Sequence, residues 1–249
     1  MTPHEHPIAV PQQPLGQAIA LHLTPGVLTT VAYLALAPFM MASGFPALLA
    51  LLLATTFVLL PLELGYLLYQ ARRSSGTFSL RGIVVYREPI PCWQYLLWPI
   101  VLFAWGFLSS ALASPVEQAT REHLFSWLPA WFFVSGTDQF AAYSHPVLVT
   151  TFVLGLVVGS FAGPIVEELY FRGYLLPRLS RWGRWSPVIH AVLFSLYHFW
   201  TPWQNVSRIL LMAPMTYLVW WKRNIYLAML AHCGLNAVVW SITFAVILR

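Results

Sequence analysis

Charge is the property this 249-residue chain has least of. Only 8% of its residues are Asp, Glu, Lys or Arg, where a soluble domain carries about 25%. Its 13 basic and 8 acidic residues must serve a composition that is 59% hydrophobic and 16% aromatic. A water-soluble globule of this size could not bury that much apolar surface and still cover itself. A soluble enzyme, a disordered tail and a nucleic-acid binder are therefore excluded. Cysteine is scarce as well: Cys92 falls in a loop and Cys233 inside a hydrophobic span, which argues against a disulfide framework and against a metal-ligand cluster. Asp138 is the only aspartate, so a two-aspartate protease is impossible. No Lys or Arg precedes Arg72, which leaves no basic n-region and no secretory signal peptide in the usual sense. Internal repeats and low-complexity tracts are absent too.

What the chain has instead is long apolar runs, with a mean hydropathy of +0.68. A helix needs roughly 20 mostly apolar residues to cross a bilayer. From His6 to Leu62 there are 57 residues without a formal charge, room for two helices punctuated at Gly44 and Pro46. The pattern predicts spans near 26–43, 46–69, 94–113, 147–167, 187–200, 205–221 and 225–249. Arg208 and Lys222 make the sixth of these the weakest. The stretch His123–Val134 is too short to cross and reads as an interfacial or re-entrant helix. The fold expected is an all-α polytopic membrane bundle of about seven to eight helices. Residues 1–146 form an N-terminal membrane region and 147–249 a second unit.

Basic residues set the orientation. With the N-terminus in the cytoplasm, Arg72, Arg73, Arg81, Arg87, Arg178, Arg181, Arg184, Lys222 and Arg223 are all inside. Arg121, Arg208 and Arg249 then fall outside, and Arg172 lies in or near the membrane. Eight tryptophans from Trp93 to Trp221 sit near span ends, as an aromatic belt would.

Ionisable residues inside spans are costly and mark function by default. Three clusters qualify. VEELYFRG sets Glu167 beside Glu168, with Arg172 four residues after the second; FSLYH sets His198 four after Phe194; HCGLN sets Asn236 four after His232. Each i,i+4 pair shares one helical face. At 1.5 Å per residue, His198 lies ~18 Å and His232 ~11 Å from the same side, and a modest tilt brings Glu167 level with them. The three clusters are therefore expected to converge in the cytoplasmic half. Hydrolysis inside a membrane needs a base to activate water, a partner to hold it and donors for the oxyanion. There is no HExxH and no Gly-x-Ser motif paired with a later membrane histidine. What remains is a glutamate, two histidines and an asparagine, with Glu168 and Arg172 able to neutralise each other.

EExxxR, FxxxH and HxxxN, in that order and each in a hydrophobic span, resemble the CPBP family. These are the CAAX protease and bacteriocin-processing enzymes, also called ABI, a class of intramembrane glutamic endopeptidases. The resemblance covers roughly residues 147–249, and nothing in residues 1–146 matches a motif. It implies that Glu167 is the base activating water, with His198 binding and positioning that water. It further implies that His232 and Asn236 form the oxyanion hole and that Glu168 with Arg172 supports the site. No cofactor is required by that mechanism. The substrate would be a membrane-anchored or lipidated peptide or protein, cut near the cytoplasmic face of a membrane such as the bacterial inner membrane.

Other readings stay open at this point. Glu167, His198 and His232 could hold zinc, since three such ligands plus water make an acceptable catalytic site. The polar cluster could instead serve a non-catalytic binding, transport or immunity protein. Glu167 and Glu168 could be a structural cluster around Arg172, although the second glutamate then leaves net charge in an apolar span. Of the rest, Glu63 is expected to be interfacial or paired, His190 to pack, and Cys233 to be a small buried side chain. His4, His6 and His145 read as tail or loop residues.

Overall fold

The computed structural model describes residues 10–134 and 138–247, without the side chains of residues 138 and 139. His4, His6 and Arg249 lie outside the described residues, as does the side chain of Asp138. Seven helices account for nearly all of the rest: α1 Leu15–Ala42, α2 Ala47–Ser75, α3 Gln94–Leu124, α4 at 145–175, α5 Ser186–Leu196, α6 Asn205–Lys222 and α7 Tyr226–Ile247. There is no strand among the described residues. Proline opens several of these helices, where its missing N–H costs nothing: Pro14 and Pro46 precede α1 and α2, and Pro146 and Pro187 lie in the first turns of α4 and α5. Gly76 closes α2 in a left-handed conformation at φ 73°, the usual helix stop.

Five helices are long and apolar enough to cross a membrane, counting 145–196 as one run of 52 residues. The all-α membrane bundle expected from the sequence is the fold that forms, and its count of seven to eight spans is not reached by this measure of length and hydropathy. The 52-residue run reverses at Gly183, whose φ 53° and ψ −129° are non-helical, so α4 and α5 are separate passages. At 11 residues, α5 rises only ~16 Å and ends inside the bundle. A short turn at 197–204 then carries the chain into α6. The predicted interfacial helix at His123–Val134 is also corrected. Residues 123 and 124 finish the 31-residue α3, and after Pro129 only one tight turn, Ala130–Phe132, forms.

One end of the bundle is knotted by its connections. Val85 N–H donates to Gly173 O (2.9 Å), Gln13 N–H to Arg178 O (3.0 Å), Ile225 N–H to Tyr86 O (2.8 Å) and Glu88 N–H to Arg223 O (3.0 Å). Asn224 joins the same knot through Glu88 O and the Tyr95 hydroxyl (2.7 and 2.8 Å). Burial within the knot pushes the Tyr86 phenol up to about 12. Nine basic residues, from Arg72 to Arg223, cluster at this end. Not all are free: Arg178 is buried, with its guanidinium 3.6 Å from the Tyr174 ring centroid and bonded to Tyr174 O. Residues 43–46, 125–134 and 140–144 lie at the opposite end.

Close approach between helices depends on missing side chains. A Cβ on Gly26 of α1 would overlap the carbonyl oxygen of Tyr197, in the turn that carries His198. Backbone cannot rotate away as a flexible side chain can, so Gly26→Ala should cost about 1–3 kcal/mol. Thermal melting in detergent checks this, and an unchanged midpoint would mean α1 does not seat against that turn. Gly155 and Gly159 of α4 play a similar part, because Cβ atoms there would run into the Trp240 ring of α7.

Candidate active site

Glu167 and Glu168 lie in α4 where its winding changes. Gly163–Glu167 is α-helical, and the stretches on both sides, Gly155–Ala162 and Glu168–Leu175, have wider turns with i→i+5 bonding. Such π-type insertions occur inside α-helices mostly at functional sites. Both glutamates are buried, and they point to different partners.

Glu168 is the hub. Arg172 Nη1 donates to its Oε1 at 3.0 Å and His232 Nδ1 donates to the same atom at 2.9 Å. Arg172 is fully buried; its other contacts are Met212 Sδ (3.3 Å) and the face of Phe194, whose centroid lies 3.9 Å from the guanidinium carbon. The i,i+4 pairing expected from EExxxR therefore forms, and it forms in the core rather than at a surface.

Glu167 accepts a hydrogen bond on Oε1 from the Tyr197 hydroxyl. Its Oε2 lies 3.9 Å from His232 Nε2. Because Nδ1 of His232 is spent on Glu168, Nε2 is the ring atom turned to Glu167, and the tautomer is set from outside the site. Asn236, one turn further along α7, donates one amide hydrogen from Nδ2 to Gly159 O at 2.9 Å. Its second Nδ2 hydrogen remains for another acceptor.

His198 sits just beyond α5, which ends at Leu196, so it is not on the helical face predicted for it. Its Nδ1 nevertheless bonds back to Phe194 O at 2.9 Å, and the two rings stay 5.1 Å apart. The spacing FxxxH thus survives as a cap on the helix end, leaving Nε2 as the free ring atom. His198, His232 and Asn236 all line one cavity of about 590 Å³. Glu167 is not among the lining residues; it reaches this group through His232 and Tyr197.

The cavity extends away from the basic end. Its walls include Ser114 and Glu117 of α3, Val134, Phe140 and Thr243, all toward the end opposite the basic one. Arg208, expected on the non-cytoplasmic side, lines this cavity at that end.

Several residues were missed or misjudged by the sequence reading. Tyr197 lies inside FSLYH, three residues after Phe194, and that spacing would have placed it beside His198. Glu63 was expected to be interfacial or paired. It is fully buried, and neither carboxyl oxygen has a hydrogen-bond partner among the described residues. Its helix α2 packs against the Gly163–Glu167 stretch, which explains the burial: a carboxylate five turns into an apolar helix has no water within reach. His190 is packed in the core, its Nδ1 3.0 Å from His22 Nε2. Cys233 is half-buried and Cys92 exposed, both as free thiols. Among the described residues no group of three or more His, Cys, Asp or Glu is arranged to hold a metal ion.

Residues 148–238 match the family model described as "Rce1-like: Type II CAAX prenyl endopeptidase Rce1-like". The matched segment contains all seven residues of the three motifs, from Glu167 to Asn236. The resemblance to the CPBP family therefore extends to a family-model match over this segment, and the apolar helices support an integral membrane protein. No curated protein and no solved structure matches the chain.

Proposed function

We propose that the protein is an intramembrane endopeptidase that cuts a membrane-associated peptide by glutamate-activated water, without a covalent intermediate. The observation that carries this reading is the meeting of three separate motifs: both glutamates of α4 lie against His232, and His232, Asn236 and His198 share one cavity wall.

Each group has a role its contacts suit. Glu167 takes a proton from water as the water oxygen attacks the peptide carbonyl. The hydroxyl of Tyr197 holds one carboxylate oxygen, so the other is presented to the reaction. His198, its Nδ1–H committed to Phe194 O, offers the Nε2 lone pair to a hydrogen of that water. The oxyanion accepts from the spare amide hydrogen of Asn236 and from Nε2–H of His232 when that ring is an imidazolium. Collapse of the tetrahedral intermediate breaks the C–N bond, and Glu167 returns its proton to the leaving amine.

If the basic end faces the cytoplasm, as the positive-inside rule favours, the cavity is entered from the other side. That differs from cleavage near the cytoplasmic face, the expectation from motif depth alone. Depth along a helix fixes a level in the bundle, whereas access depends on which helices part above it.

The experiment is peptidase activity of the purified full chain on membrane-anchored peptide libraries, with and without chelator, against Glu167→Ala and His198→Ala. Turnover should resist chelation and fall in both variants, by about 10²-fold or more. Activity lost to chelator and restored by zinc would move the same residues to metal ligands. A binding or transport protein would cut nothing in any lane.

A further inference from the structure

At the knotted, basic end of the bundle, Glu88 is the one carboxylate among the described residues, and it already lies 3.7 Å from Arg223. Surplus positive charge at one end sets orientation and by itself names no ligand. One loop there is built differently. The segment Leu176–Trp185 joins α4 to α5 and turns at Gly183, where φ is 53°. It is pinned on both sides. Gln13 N–H donates to Arg178 O (3.0 Å), Arg181 N–H to Gln12 Oε1 (3.0 Å), and the Ser186 hydroxyl to Leu179 O (2.7 Å). Leu176 to Leu179 are buried and anchor the loop, whereas Arg181, Arg184 and Trp185 are exposed.

Each of these two guanidiniums stands by the indole that follows it. Arg181 lies 4.0 Å from the Trp182 ring centroid and Arg184 6.0 Å from that of Trp185. Among the described residues neither has a carboxylate within 4.0 Å. Contact with a ring face orients a guanidinium but accepts none of its N–H donors in the plane of the fork. Those donors remain for an acceptor outside the chain. Residues 145–196, which contain the loop, are apolar enough to cross a membrane on either side of it. Their junction therefore lies at the level of the lipid headgroups, where tryptophan also prefers to sit. The acceptors at that level are phosphate oxygens, and the planar fork of arginine suits them.

We propose that the loop at 181–185 is a headgroup site for an anionic phospholipid of the surrounding bilayer. Arg181 and Arg184 take the phosphate between them, and the two indoles rest beside the lipid's glycerol region. The site is separate from the cavity that holds His198 and His232 and does not depend on the proteolytic reading. The plainer alternative is a diffuse attraction of anionic lipid to the whole basic end, to which these two arginines add no more than any other exposed pair. Arg81 and Arg87 supply the comparison. They are exposed at the same end, and they also lack a carboxylate within 4.0 Å among the described residues, but neither is backed by a ring within cation–π reach.

Lipid binding to the purified full chain in maltoside micelles is measured by native mass spectrometry, with dioleoyl phosphatidylglycerol and dioleoyl phosphatidylcholine as the probes. Phosphatidylglycerol should bind about tenfold tighter or more, as two basic side chains at a headgroup allow. The double variant Arg181→Gln, Arg184→Gln should lose most of that preference. The double variant Arg81→Gln, Arg87→Gln, which removes the same charge from the same end, should keep it. Each single substitution in the loop should lower the preference by about threefold, which keeps the test open if the loop double fails to fold. Equal affinity for the two lipids in the parent overturns the site, as does a preference that persists in the loop variants. Equal losses in the two doubles overturn it in favour of a diffuse field. A soluble poly-Glu peptide that displaces the lipid more readily than free phosphatidylglycerol does would move the loop to an acidic protein partner and overturn the lipid assignment. Glycerol 3-phosphate binding as tightly as the lipid would overturn it too, since that probe carries the phosphate without the tails.

Discussion

Glu167→Gln should abolish peptide cleavage while leaving the bundle intact. The substitution keeps the side-chain volume, and the amide oxygen still accepts from the Tyr197 hydroxyl, so little packing changes around α4. On the proposed mechanism, what is lost is the group that takes a proton from water and hands it on to the leaving amine. General base catalysis typically supplies 10²–10⁴-fold, so turnover should fall by at least about 10²-fold. Melting of the variant in detergent should match the parent. Turnover above a tenth of the parent value would sink the glutamate mechanism, whatever else the site does. Tyr197→Phe is the milder companion: it leaves the base in place but frees one carboxylate oxygen, and its cost should be smaller than that of Glu167→Gln.

Glu168→Ala should do the reverse, with the larger effect on stability. Arg172 would be left fully buried, with Met212 sulfur and the Phe194 ring as its remaining contacts. Breaking a buried pair from one side costs about 3–5 kcal/mol, because the surviving charge has no compensation. His232 would also lose the acceptor that fixes its ring, so some activity goes too, though less than with Glu167. The double variant Glu168→Gln, Arg172→Met removes both charges and should recover much of the lost stability, since a neutral pair of similar volume avoids the penalty of an uncompensated buried charge. Chemical denaturation in micelles measures both. If Glu168→Ala melts like the parent, the hub role of that carboxylate is wrong. If the double variant is as unstable as the single, the instability has another origin than the stranded guanidinium.

The two glutamates are adjacent in sequence, yet the expected consequences differ because neighbours on a helix point about 100° apart. Glu168 turns into the core, where Arg172 and His232 share one of its oxygens. Glu167 turns toward Tyr197 and the other nitrogen of His232. The same imidazole therefore touches both carboxylates through its two ring atoms, and this ties the support of the site to its chemistry.

Much of this was legible in the chain itself. Scarcity of charge forces a membrane environment, because transfer free energy adds up along a segment whatever its neighbours are. The motif residues were legible for a similar reason. A Glu, His, Arg or Asn in an apolar span is costly wherever it lies, and i,i+4 spacing fixes that two of them share a face. Glu168 with Arg172 followed directly from that rule. Tertiary structure alone decided who meets whom. It gave Glu168 to His232 and Glu167 to Tyr197, buried Glu63 where a span end was expected, and brought Arg208 into the cavity. It also ended α5 at Leu196 and ran α3 through to Leu124, because an aromatic-rich turn is as apolar as a helix and hydropathy does not tell them apart. Local sequence sets the cost of placing each side chain in the membrane; only the packing of seven helices sets which partner offsets it.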